Sequence, residues 1–190
     1  MKYKVISEEV LFDSFLKIKE ANVEHDSFTK NNAIEYTREI LEMGDCVAVL
    51  MYEKDTDSLI FINQFRYTTV RSGSGWFLEL PAGILEIGEN PEDTAIREVR
   101  EETGYRLETL EHISTFYSTP GSCTEQMHLY YAEVTQKDRI DVGGGVHTEN
   151  EDIELCKFKV CEIKEVLRTK RITDGKSIIA LQWFLLYKTE

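Results

Sequence analysis

The chain has 190 residues, 42% hydrophobic and 30% charged, which is enough for one substantial core with or without a small appendage. Its 35 acidic against 22 basic residues give a net charge of −13. That balance excludes the basic stripe of a nucleic-acid surface, and it means that an anionic substrate needs cations to approach a carboxylate-rich site. The longest apolar run, residues 178–187, is interrupted by Gln182 and is too short to span a bilayer. The first ten residues carry charges where a signal peptide needs an apolar core, so a cytoplasmic protein is expected. Cys46, Cys123, Cys156 and Cys161 make no close C-x-x-C pair, and buried reduced thiols are expected.

Residues 2–43 read as β structure: Val10-Leu11-Phe12, Phe15-Leu16-Lys17-Ile18 and Ile34-Glu35-Tyr36-Thr37 are strand-like, with Thr29-Lys30-Asn31-Asn32 as a turn. Such a small sheet hardly stands alone, so packing on the main domain or on a second subunit is expected. Residues 1–43 are taken as this segment and 44–190 as the main domain. A clearer hairpin joins residues 46–52 to 59–62 through Lys54-Asp55-Thr56-Asp57. A Gly/Ser loop, 72–75, leads to a strand at 76–80, which Pro81-Ala82-Gly83 breaks. Asn90 is a good N-cap, Pro91 suits the first helical turn, and Gly104 suits the helix stop, so a helix is predicted over 91–103. Strands follow at 110–117, 127–134 and 153–160, then helices at 161–169 and 177–188. The expected fold class is α+β, an α/β/α layered domain with a mixed sheet between helices and a small N-terminal antiparallel sheet.

On the helix, Ala95, Ile96, Val99 and Thr103 form one mostly apolar stripe, with Glu98, Glu101 and Glu102 along a ridge beside it and Arg97 and Arg100 toward the far side. Carboxylates crowded beside a buried stripe repel one another and lose solvation. A hard divalent ion relieves both penalties, and phosphate oxygens can complete its shell. A second reading stays open at this point: Asp93–Arg97 and Arg97–Glu101 are i,i+4 pairs of opposite sign, as on an ordinary solvated helix.

The wider segment, residues 83–105, fits G-x5-E-x7-R-E-U-x-E-E-x-G-U, where U is a bulky apolar residue. Gly83, Glu89, Arg97, Glu98, Glu101, Glu102 and Gly104 take the fixed positions, Val99 the first U, and Tyr105 the last, where aliphatics are usual. Seven fixed residues coincide by chance in on the order of one window in 10⁸. The chain is thereby identified as similar to the Nudix hydrolases. The resemblance implies a loop–helix–loop with Glu98 and Glu102 as the main metal ligands and Glu101 as a further ligand or partner in the metal shell. It also implies the backbone carbonyl of Ala82 as an extra ligand, and Arg97 as an orienting ion-pair residue. Gly83 is expected to permit a sharp turn, and Gly104 to do the same at the helix end.

Other pieces resemble the ADP-ribose and nucleotide-sugar pyrophosphatase branch: Gln64-Phe65-Arg66, Leu78-Glu79-Leu80-Pro81-Ala82-Gly83, and Ser118-Thr119-Pro120-Gly121, which puts Pro120 16 residues after Gly104. Arg66, Glu79, Gly83 and Pro120 are therefore expected around the substrate. Arg66 suits a phosphate clamp, with a plain surface arginine as the competing reading, and Pro120 would shape the pocket. The loop 141–152 has three successive glycines, Gly143 to Gly145, read as a mobile segment, followed by Glu149, Glu151 and Asp152. By resemblance, Glu149 is the first candidate for general base and Glu151 for metal ligand, with the two exchangeable; a solvated acidic loop is the competing reading. The four histidines do not cluster and none is expected to be catalytic.

The implied reaction is hydrolysis of the pyrophosphate link of ADP-ribose or a related nucleoside-diphosphate sugar, with Mg²⁺ as cofactor and Mn²⁺ as the alternative ion. GDP-mannose or UDP-glucose is the alternative substrate, because Gly143-Gly144-Gly145 and Asp174-Gly175-Lys176 resemble enzymes acting on such sugars. A catalytically silent, nucleotide-sugar-sensing domain and a nucleoside-triphosphate hydrolase rank lower. The expected partners are the small nucleotide substrate and a second copy of the chain, paired through the N-terminal segment; nucleic acid and membrane are not expected.

Overall fold

The computed structural model describes every residue except Lys30, Asn31, Ile87, His147, Glu149 and Glu190. The chain divides into two compact units, residues 1–45 with 117–126, and residues 46–116 with 127–190.

In the first unit, β1 (Tyr3–Asp13), β2 (Lys17–His25) and β3 (Ile34–Glu42) form an antiparallel sheet in that order. The strands are longer than the expected apolar runs, and Phe15-Leu16 is not strand. The chain turns there, with Ser14 N–H donating to Leu16 O at 3.0 Å. Charged pairs cross the strands: Lys19 bridges Glu8 at 2.9 Å and also meets Glu42, which Lys17 reaches at 2.9 Å. Ala21 is the buried hydrophobic residue of this sheet, and β1 is exposed along its whole length. The expected turn at 29–32 includes Lys30 and Asn31 and so lies partly outside the described residues.

The second unit is built on a seven-stranded mixed sheet. Its path is β10 (Ile153–Lys159), β5 (Ser58–Phe65), β4 (Cys46–Glu53), β9 (Gln126–Val134) and β8 (Glu111–Tyr117). Two short strands lie off this path: β6 (Trp76–Glu79) pairs with β5, and β7 (Ala82–Ile84) with β4. β4 and β9 run parallel, while β5, β6, β7 and β10 pair antiparallel. The strand ends before Pro81 as expected, and the chain then switches partner: β6 pairs with β5, whereas Ala82 opens β7 opposite Ala48 of β4.

β4 reads as one unbroken apolar run because both of its faces are covered. On one side Val47, Val49, Met51 and Ile60 pack with Ala95 and Val99 of α1 (Pro91–Thr103). On the other, Ala48, Leu50, Leu59 and Phe61 pack with Ile163 and Val166 of α2 (Ile163–Arg168) and with Ala180, Leu181 and Phe184 of α3 (Gly175–Tyr187). Each of the larger of these side chains, Val, Leu, Ile, Met or Phe, contributes roughly 1.5–3 kcal/mol on burial. The result is the layered α+β architecture expected. α2 is shorter than predicted, since residues 160–162 form a 3₁₀ turn, and α3 starts earlier, because Asp174 caps it by accepting from Ser177 N–H at 3.1 Å. No helix among the described residues is long and apolar enough to cross a membrane.

Beyond the far end of α1, Tyr105 is fully buried and its hydroxyl donates to Glu53. Lys157 Nζ donates to both oxygens of Glu53, at 2.6 and 2.8 Å. Burial alone would push the Glu53 carboxyl up, but Lys157, Thr56 and Tyr105 outweigh it and hold the carboxyl below its ordinary range.

Candidate active site

α1 forms over the predicted span. Asn90 Oδ1 accepts from Glu92 N–H at 2.9 Å, Pro91 occupies the first turn, and Gly104 ends the helix at φ 77°. Its buried stripe differs from the expected one. Ile96 is 38% exposed, and Thr94 is buried instead, its hydroxyl donating to Glu89 (2.8 Å) and to Asn90 O (3.2 Å). With that hydroxyl satisfied locally, the side chain can be buried at little cost.

Of the three ridge carboxylates, Glu102 is the most enclosed, at 2% exposure. Burial pushes its carboxyl well above the ordinary range, opposed by Ala82 N–H, which donates to Oε2 at 3.0 Å. Burial also raises Glu98, against the pull of Arg97, and Glu151 adds like-charge repulsion to both groups. Glu101 is half-exposed.

Arg97 does not face away from this ridge, as the helical projection suggested. Its Nη1 donates to Glu98 at 2.8 Å and to Glu101 at 3.2 Å, while Nε and Nη2 donate to Glu89 at 3.3 and 3.2 Å. The projection fixes only the Cβ direction, whereas the long Arg97 side chain swings round the helix and its guanidinium reaches carboxylates on both sides in sequence. Glu89, which also accepts from Glu86 N–H at 3.1 Å, is held down at about 2 by Arg97 and these N–H and O–H donors.

Gly83 has a different use from the expected sharp turn. It sits within β7 opposite Val47, and a Cβ there would lie 2.0 Å from Glu98 Cδ. The missing side chain makes room for a carboxylate. Gly104 does serve the helix end, at positive φ with Asp141 O 2.1 Å from where its Cβ would be.

A cavity of about 390 Å³ opens here, lined among others by Gly83, Arg97, Glu98, Glu151, Arg66 and Lys176. Two further cations, Arg66 and Lys176, are anchored by one carboxylate. Arg66 Nε donates to Glu79 Oε1 at 2.7 Å, and Lys176 Nζ to Glu79 Oε2 at 2.6 Å. Both oxygens of the buried Glu79 are thus engaged, so this residue aims two cations rather than facing the cavity itself. Burial would lower the Lys176 ammonium, yet Glu79 and Asp174 hold it above its ordinary value. Arg66 is 41% exposed on its side chain and keeps guanidinium N–H groups beyond the one given to Glu79.

Of the residues singled out from the sequence, Glu98, Glu101, Glu102, Ala82, Gly83, Arg66, Glu79 and Glu151 all fall in this second unit, at or next to the cavity. Pro120 belongs to the first unit. Glu149 lies outside the described residues. Lys176 was missed as a site residue. The signal was Asp174, whose capping places Lys176 in the first turn of α3. The glycines at 143–145, expected to confer mobility, pack on the end of α1, with Gly144 N–H donating to Glu102 O at 2.9 Å and Gly145 N–H to Glu101 O at 3.1 Å.

The oxygen donors here suit a hard divalent cation. Among the described residues no three Asp, Glu, His or Cys side chains stand gathered as a finished cage. Glu98 is turned onto Arg97, and Glu102 onto Ala82 N–H.

The NUDIX domain family matches residues 43–182. An ADP-ribose pyrophosphatase of Haemophilus influenzae is 33% identical over 187 residues, covering 96% of this chain and 86% of that protein. A GDP-mannose pyrophosphatase of Citrobacter koseri is 32% identical over 185 residues, covering 96% and 94%. A solved structure described as an ADP compounds hydrolase superposes with a TM-score of 0.77 at 17% identity, over 100% of this chain and 97% of its own, and so shares the fold. The chain belongs to the Nudix family and is a Nudix hydrolase.

Proposed function

We propose that this Nudix hydrolase cleaves the diphosphate bridge of ADP-ribose or a related nucleoside-diphosphate sugar, using Mg²⁺, with Mn²⁺ as the alternative ion. The products are a nucleoside monophosphate and a sugar phosphate, which for ADP-ribose are AMP and ribose 5-phosphate. The observation that carries this reading is the meeting of opposite charges in one cavity: Glu98 and Glu151, with buried Glu102 close by, line it together with Arg66 and Lys176.

Glu98 and Glu102 would hold the ion, with Glu101 and the Ala82 carbonyl beside them. The donor set fits it, since hard oxygens raised by burial and mutual repulsion gain from a dication. Bound there, the ion supplies charge neutralisation on the diphosphate and acidifies a coordinated water. Arg66 and Lys176 bind the phosphate oxygens, each aimed by Glu79. Arg97 keeps Glu98 and Glu101 from splaying apart. Glu151 is the described residue suited to take the proton from the attacking water; Glu149 shares that candidacy.

The named relatives support both ADP-ribose and GDP-mannose at nearly equal identity. Lys176, within the sugar-nucleotide-like Asp174-Gly175-Lys176, keeps GDP-mannose and UDP-glucose as the second reading. Purified protein with Mg²⁺ should be incubated separately with ADP-ribose, GDP-mannose, UDP-glucose and 8-oxo-dGTP, and the products identified. Sugar phosphate from the first is expected. Turnover of the triphosphate alone would move the protein to another substrate class, and no turnover at all would make it a binding domain.

The protein is further proposed to be a cytoplasmic homodimer paired through its N-terminal segment. Val5, Ile6, Val10, Leu11 and Phe12 of β1 are exposed, and this side-chain surface gains only when covered. Sedimentation at a single monomer mass across the micromolar range would rule the dimer out.

A further inference from the structure

The three glycines that cap α1 carry more than a helix stop. Gly143, Gly144 and Gly145 all have positive φ, at 65°, 104° and 85°. Gly143 must lack a side chain because its Cβ would lie 2.5 Å from Thr103 C and 2.7 Å from Glu102 O. Gly145 answers a different neighbour. A Cβ on it would lie 2.6 Å from Glu151 Cβ and 2.7 Å from Glu151 Oε2. The same Oε2 accepts from Val146 N–H at 2.8 Å, so the Glu151 side chain is folded back over the loop and held by the next residue's amide. In that pose it lines the cavity together with Glu98. The loop is in turn fastened to the backbone of the carboxylate ridge, since Gly145 N–H donates to Glu101 O. Ile153 N–H, at the start of β10, donates to Gly144 O at 3.2 Å and fixes the other side.

We propose that Gly145 is a positioning residue: the space left by its missing side chain lets the Glu151 carboxylate fold onto Val146 N–H and line the cavity with Glu98. One backbone segment thereby sets the spacing between Glu151 and the α1 ridge. The inference rests on the reading that Glu151 acts on the diphosphate.

The test compares the wild type with Gly145→Ala, Glu151→Gln and the double variant in ADP-ribose hydrolysis with Mg²⁺, beside Gly73→Ala as a control, whose Cβ would meet nothing nearer than Thr69 O at 3.9 Å. Gly145→Ala should lower kcat on the order of 100-fold, the loss that a misplacement of about 1 Å brings, with KM within about threefold. In the Glu151→Gln background the same change should cost no more than about threefold, because the group it displaces is already disabled. Losses that multiply in the double variant would overturn the proposal.

A second measurement needs no turnover. Hydrogen exchange at Val146 should speed up about tenfold or more in Glu151→Ala, and also in Gly145→Ala where that variant folds; Glu151→Gln, whose amide oxygen still accepts, should keep its protection. Unchanged Val146 protection in Glu151→Ala sinks the proposal even if Gly145→Ala does not fold. A wild type that hydrolyses none of the nucleotides would instead remove the reading of function, and the exchange result would still decide whether Gly145 and Val146 hold Glu151 as described.

Discussion

Gly83→Ala separates the placement of a carboxylate from the stability of the fold. The added methyl would stand 2.0 Å from Glu98 Cδ and 2.1 Å from its Oε1, so the carboxylate must retreat by 1.4 Å to reach the 3.4 Å at which ordinary contact begins. The obstructing atoms are the far end of a flexible side chain, and Gly83 has no positive φ to strain. The fold therefore gives way cheaply: a displaced rotamer costs about 1 kcal/mol, or roughly 2–4 °C in Tm for a chain of this size. Activity does not give way cheaply, since a misplacement of about 1 Å in such a site lowers the rate on the order of 100-fold. The assay pairs a thermal melt with initial rates of ADP-ribose hydrolysis over a Mg²⁺ titration. Adding Glu98→Gln to Gly83→Ala should bring little further loss. A Gly83→Ala protein with wild-type rates would refute the claim that Glu98 works from its place beneath Gly83. A fall in Tm of more than about 10 °C would show that the glycine spares the backbone rather than the carboxylate.

Glu102→Gln should abolish measurable turnover while Tm stays the same or rises, because a desolvated charge is removed from a site with 2% exposure; full activity would remove Glu102 from the ligand set. Glu53 stands below its ordinary carboxyl range in the fold, so its ionisation favours the folded state above the unfolded pKa of about 4.5, and that contribution fades as pH falls through the lower folded value. Glu53→Gln should flatten the drop in Tm below about pH 4.5, read by melts across pH 3–6; an unchanged slope would mean that other carboxylates govern acid unfolding. Asn90→Ala should cost about 1 kcal/mol by removing the cap of α1, seen as a modest loss of Tm, and an unaltered Tm would show the cap to be idle.

Where the code is local, the sequence was a good guide. Asn90, Pro91 and Gly104 fix both ends of α1 by capping chemistry that involves only their immediate neighbours. The site was legible as far as Glu98 and Glu102, because spacing along one helix determines which residues share a face. Contacts made at a distance were not legible. Lys176 meets Glu79 across 97 residues, and no window of sequence contains that pair. Arg97 was misplaced because a projection records direction and not reach. The turn at Ser14–Leu16 was hidden by Phe15 and Leu16, whose apolar character reads as strand although the chain bends there. Composition alone makes the glycine run look loose, whereas its docking depends on α1 being in place.

The parallel pairing of β4 with β9 has a consequence for biogenesis. Cys46 and Met127 lie opposite each other, so the central ladder joins segments 81 positions apart and cannot close until β9 has left the ribosome. The whole helix of carboxylates is synthesised inside that open span. During this interval β4 lacks one of its neighbours, and Val47, Val49 and Met51 remain available to aggregation or to a chaperone. Nascent chains arrested before β9 should therefore be protease-sensitive throughout β4, and should gain full resistance only once α2 and α3 have also emerged to cover its other face.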